Sequence, residues 1–147
     1  MARVRKWILG SLGVVSVVAI TASLQVSRQI GRQDSLLHAA LEGRPEVLLR
    51  ELERRPESPE LWRLLGEAYA HSGRFDSAVV AYRRARSIAP GDPDSWWMLG
   101  ITQVCRGDTK GIAEAQQSLN SLDGESATSF AELSPLGCDA FGRGARE

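Results

Sequence analysis

Between Pro59 and Gly107 the chain repeats itself at a fixed spacing, the one that separates Pro59 from Pro93. Pro59, Trp62, Leu65, Gly66 and Gly73 reappear, without insertion, as Pro93, Trp96, Leu99, Gly100 and Gly107. A period of this size marks a supersecondary unit that cannot bury its apolar face alone and stacks on its neighbours. Within the unit, Trp62, Leu65 and Tyr69 recur at i, i+3 and i+7, which places them on one stripe of a helix. Asp76 to Ile88 reads as a second helix. Ala78 and Ala85 are small where the two helices cross, and Tyr82 fills the adjoining gap.

The boundaries of the units carry stop and start signals. Ser58 and Asp92 suit the N-cap position, each followed by a proline at the first helical residue. Gly73 ends the first helix, and Pro90 stops the second because it lacks an N–H. The second unit, 93–124, keeps its first helix but drifts in its second. Gln103 replaces Tyr69, Ile112 replaces Ala78, Gln116 replaces Tyr82 and Leu119 replaces Ala85, while Ala115 and Leu122 hold the register. Gly111 weakens that helix start by about 1 kcal/mol relative to alanine. A third copy begins at Ala127, with Phe130 and Leu133 at the Trp and Leu positions, and Pro135 breaks it. Residues 125–134 therefore read as a capping helix, and 135–147 as a loose tail. Ahead of the repeats, 34–56 reads as two lead-in helices, the first capped by Asp34 or Ser35, the second Glu46 to Arg55.

A W-x2-L-G opening at this period resembles the tetratricopeptide repeat, a helix–turn–helix unit. The resemblance implies an all-α fold, a short solenoid of two repeats between helical caps. Its packing residues are Trp62, Leu65, Gly66, Tyr69, Ala78, Tyr82, Ala85 and Pro90, with Trp96, Leu99 and Gly100 in the second repeat. It also implies a function: binding a protein or peptide in the groove lined by the first helix of each repeat. The groove positions of the family fall on Glu60, Arg63, Glu67, Ala70 and His71, then on Asp94, Trp97, Ile101, Val104 and Cys105. The partner-contacting residues expected are Arg63, Glu67, His71, Trp97, Ile101 and Val104. Trp97 has two readings, an anchor for a guest chain or an indole packed against the drifted second helix or the cap. Arg63 and Glu67 stand where chaperone-tail-binding members have Lys and Asn, and Glu67 would repel a peptide carboxylate.

Residues 1–33 are of another kind. Arg3, Arg5 and Lys6 precede an uncharged run from Ile8 to Leu24, and Arg28 and Arg32 follow it. As a helix that run spans about 26 Å, at the short limit for a bilayer. It reads as a signal anchor, a transmembrane helix with its N-terminus inside; a cleavable signal peptide and a buried globular helix are the competing readings. The expected location is a bacterial inner membrane, single pass, with the repeat domain in the periplasm.

Residues 1–32 carry five basic and no acidic residues, so the remainder holds 13 basic and 18 acidic ones. A net −5 beyond residue 32 argues against nucleic acid as a partner. Only His38 and His71 could serve as bases near neutral pH, and no HExxH, P-loop or GxGxxG pattern occurs. The expectation is no enzyme, no cofactor and no metal. Cys105 and Cys138 match no zinc, redox-pair or haem-attachment spacing. They are either a disulfide, if the compartment is oxidising, or two separate thiols.

The stretch from Leu52 to Asp94 further resembles the repeat part of bacterial cytochrome c maturation proteins, through Leu52, Pro56, Trp62, Leu65, Gly66, Gly73, Arg74, Ala78, Ala81, Tyr82, Ala85, Pro90 and Pro93. That resemblance implies presentation of an apocytochrome segment. The reading as a whole is a membrane-anchored adaptor or assembly factor. Presentation of apocytochrome, and a homodimer formed through the second repeat and cap, are the alternatives.

Overall fold

A computed structural model describes residues 25–138. The chain divides into two compact units, Met1–Ser35 and Leu36–Glu147. Of the first, 25–35 is described and is helical. No helix therefore starts at Asp34 or Ser35, although both residues suit a cap. The apolar run Ile8–Leu24 lies outside the described residues, and among those described no helix is long and apolar enough to cross a membrane.

The second unit is helical throughout its described part. Its residues 36–41 are helical and are referred to as α1. Then follow α2 (Pro45–Leu52), α3 (Pro59–His71), α4 (Phe75–Ile88), α5 (Pro93–Arg106), α6 (Thr109–Leu122) and α7 (Gly124–Leu133), with a 3-10 turn at Ser134–Leu136. Thus α2 stops at Leu52, short of the expected Arg55, and Pro135 sits inside a tight turn after the cap helix. Residues 139–147 of the expected tail are outside the described part.

The start signals work as their chemistry requires. Ser58 Oγ accepts from the Leu61 N–H, and the Asp92 carboxylate accepts from the N–H groups of Asp94 and Ser95. Gly73 and Gly107 take up left-handed φ values of 73° and 69°, which lets α3 and α5 turn into α4 and α6. Sequential helices pack pairwise, α3 on α4, α4 on α5, α5 on α6 and α6 on α7.

Three apolar clusters run along the stack. The first joins Leu36, Ala40, Leu48 and Leu52 of α1 and α2 to Leu61, Leu65 and Ala81. The second holds Ala78, Val79, Tyr82 and Leu99. The third holds Ala115, Leu119, Ala127 and Phe130. The lead-in and the C-terminal helix thus each close one end of the solenoid, as its open ends require.

The two repeats solve the same packing problem with different residues. A Cβ at Gly66 would lie 2.5 Å from the Tyr82 ring, so the tyrosine of α4 fills the notch that glycine leaves in α3. In the second repeat Gln116 stands in place of that tyrosine. A Cβ at Gly100 would lie 2.6 Å from the Phe130 ring. Phe130, from the cap, has taken over the filling role and is fully buried. Gln116 turns instead to donate to the Ala127 carbonyl at 2.9 Å, fastening the cap. Gly111, which sequence propensity marks as a weakness, is needed for a similar reason: a Cβ there would collide with the buried Gln103 amide.

Candidate functional site

The face that the repeat register assigns to a groove has a polar half on α3 and an apolar half on α5. On α3, Glu60 and His71 are exposed, and Arg63 and Ala70 are half-buried. Glu67 is only 9% exposed. Arg63 Nη1 donates to Glu67 Oε1 across one helical turn at 2.5 Å. His71 Nδ1 lies 3.0 Å from the Glu67 carbonyl oxygen. Burial raises the Glu67 carboxyl above its usual range, and the charge of Arg63 opposes that shift. Asp94, exposed at the start of α5, adds to the rise. Burial likewise pushes the Tyr82 hydroxyl up, with the Glu67 charge contributing. Arg63 and Glu67 therefore engage each other before any guest does. Arg63, Glu67 and His71 come together as one polar group on one face of α3.

The apolar half is not a bare strip. Trp97 meets Phe130 edge-on with ring centroids 5.7 Å apart. Ile101 and Val104 are half-buried against the cluster of Ala115, Leu119, Ala127 and Phe130. The physical reason is the missing tyrosine of α6: Phe130 must enter the Gly100 notch, and it brings α7 over the neighbouring side chains. Trp97, half-buried, thus packs on Phe130 of the cap helix.

Cys105 and Cys138 are disulfide-bonded, with a Cα–Cα distance of 4.5 Å. The bond joins a groove-register position of α5 to a residue just beyond the 3-10 turn. In the register of the repeats, Cys138 stands one copy after Val104. The bond thus links neighbouring levels of successive copies, and of the two readings left open by the sequence it is the disulfide.

Of the expected packing set, Trp62 and Trp96 are half-buried, while Pro90 is exposed. Trp62 Nε1 donates to the Pro56 carbonyl at 2.7 Å, tying α3 to the loop before it. The Arg86 guanidinium lies over the Trp96 ring at 4.3 Å, and Arg74 over Tyr69 at 4.7 Å. Such stacking suits the flat, delocalised cation of arginine. Both arginines thus have a packing use that sequence reasoning missed.

Comparison with known proteins agrees with this geometry. A family profile described as tetratricopeptide repeat matches residues 59–102. Over 91 residues the chain is 29% identical to the formate-dependent nitrite reductase complex bifunctional subunit NrfFG of Haemophilus influenzae, covering 62% of this chain and 24% of that protein. Over 43 residues it is 46% identical to Superkiller protein 3 of Schizosaccharomyces pombe, covering 29% of this chain and 3% of that protein. The chain therefore spans a quarter or less of the length of these relatives. The repeated Trp–Leu–Gly stripe, the notch filled in each unit, the paired helices and the profile matched over residues 59–102 agree: this part of the chain carries tetratricopeptide repeats.

Proposed function

We propose that the chain is a membrane-anchored adaptor that holds a protein partner on the α3 side of its groove and serves the assembly of an enzyme complex. A tetratricopeptide repeat domain suggests a protein partner. The observation that carries the finer reading is the division of the groove face: the α3 half keeps Glu60 and His71 in solvent, while the α5 half is covered by α7. A guest therefore meets the polar half first. Placement in the periplasm is supported by the Cys105–Cys138 bond, since disulfides persist where the surroundings are oxidising. The anchor itself rests on the basic flank and the apolar run Ile8–Leu24.

A photo-crosslinker placed at His71, with Val80 on α4 as control, tests the groove. Val80 is 66% exposed, so accessibility does not favour the groove position. The expected result is a discrete adduct from His71 and none from Val80. Equal labelling from both positions overturns the groove reading. A C-terminal reporter active only outside the cytoplasm tests the topology: it should light, and a silent one beside an active cytoplasmic reporter refutes it.

The resemblance of the stretch from Leu52 to Asp94 to the repeat part of cytochrome c maturation proteins supports a second reading, in which the guest is an apocytochrome segment. Titration of the full chain with a peptide from such a protein tests it. Absence of saturable binding removes this reading and leaves the adaptor role standing.

A further inference from the structure

We propose that Cys105–Cys138 is a redox latch holding the C-terminal cap over the apolar strip of α5. Beyond the Phe130 ring and the Gln116 hydrogen bond, the cap has little else to hold it. Only Ala127 and Phe130 of α7 are buried, and the Ser134–Leu136 turn contributes no buried residue, with Leu136 66% exposed. A helix of this length is marginal in water without tertiary contacts. Beneath it lie Trp97, Ile101 and Val104, half-buried against Phe130 and its neighbours. The disulfide is thus a covalent tie at the far end of a short, thinly buried helix. Both cysteines are themselves half-buried, within reach of a small or protein thiol.

The step needs a dithiol reductant. Its thiolate attacks one sulfur of the bridge and forms a mixed disulfide, releasing the other cysteine as a thiol. The second thiol of the reductant resolves the mixed disulfide. Two electrons and two protons pass to the protein, which ends with two thiols, while the reductant ends as a disulfide. Release of the cross-link frees the segment from α7 to Cys138, while α5 and α6 stay folded, and favours opening by about a hundredfold. The cap then exchanges between closed and open, and the α5 strip is exposed beside the polar α3 face. The oxidised chain offers a polar surface, and the reduced chain a polar surface extended by an apolar one. The proposal concerns the chain's own cap and does not depend on who the partner is.

Hydrogen exchange on the full chain, oxidised and after treatment with dithiothreitol, tests this, with binding of an apolar dye as a parallel readout. Reduction should speed exchange of amides in 124–137 by about a hundredfold, raise dye binding, and leave α3 and α4 unchanged. Equal exchange in the two states overturns the latch, because Phe130 then holds the cap unaided. Faster exchange across α3 and α4 as well overturns it too, because the bond then staples the whole domain. The Cys105→Ser/Cys138→Ser double variant should match the reduced chain; if it does not fold, reduction of the folded wild-type chain still decides.

Discussion

The first repeat closes its notch with its own tyrosine, and the second borrows a phenylalanine from the helix that follows it. Both notches are glycine against an aromatic ring, at 2.5 Å and 2.6 Å from a notional Cβ. The difference lies in where the ring comes from. Tyr82 follows Gly66 within one hairpin, on α4. Phe130 follows Gly100 only after the whole of α6, on a separate helix. The first repeat is therefore locally complete, while the second depends on the cap being docked. A drifted repeat need not be a weak one if a neighbour supplies the missing volume.

The largest expected effect comes from emptying either notch. Tyr82→Ala and Phe130→Ala should each cost about 3–5 kcal/mol in urea unfolding. They should differ in kind: loss of Phe130 frees the cap, while loss of Tyr82 separates α3 from α4. Adding Gln116→Tyr to Phe130→Ala restores the arrangement of the first repeat and should recover part of the loss. No recovery would mean that the two notches are not equivalent.

Filling the notches from the glycine side is the next test. Gly66→Ala and Gly100→Ala should each cost about 1–3 kcal/mol, because the new methyl meets a ring that cannot retreat. Gly100→Ala should be partly relieved by Phe130→Leu, and Gly66→Ala should not be. Relief of both by the same change would erase the distinction between the repeats.

Trp97→Ala should lower thermal stability modestly, by about 1 kcal/mol through the lost aromatic contact alone. It is therefore a poor neutral probe of partner binding. His71→Ala, on the open α3 half, should leave the melting temperature within error. A Trp97→Ala protein as stable as wild type would mean the indole contributes nothing to the cap.

The smallest effect is a slope with pH. Burial raises the Glu67 carboxyl in the folded chain above its ordinary 4.5, so the folded state binds this proton more tightly than the unfolded one. Its contribution to stability is full below the unfolded pKa and is lost as pH rises through the folded one. Stability should thus fall slightly as pH rises from the ordinary carboxylate range, and Glu67→Gln should flatten that part of the profile. An unchanged profile in the variant would assign the slope to other groups.

Much of this was legible from residue order. The Trp–Leu–Gly stripe, the prolines after Ser58 and Asp92, and the glycines at the turns act over a few positions, so the chain declares them locally. Less legible was the stretch 25–35, where helix runs through Asp34 and Ser35 although both are good N-caps. Capping preference is worth about 1 kcal/mol and yields to context. Gly111 reads as a propensity defect because propensity ignores the Gln103 side chain lying against it. On the candidate site, the repeat register assigned two helix faces to a groove, but not which of them would be covered. Arg63 and Glu67 stand at i and i+4 and could be paired by inspection; Trp97 and Phe130 could not.

Sequence by itself determined that this chain is a stack of helical hairpins at a fixed period, with stripe, caps and turns in place. Those features follow from helix geometry and from the backbone demands of proline and glycine, which act over short stretches of chain. Only the tertiary structure decided that Phe130 stands in for the absent tyrosine, that Cys105 meets Cys138, and that the α5 half of the groove lies under the cap. Filling a vacancy depends on which distant side chain fits its shape and volume, and no local pattern encodes that choice.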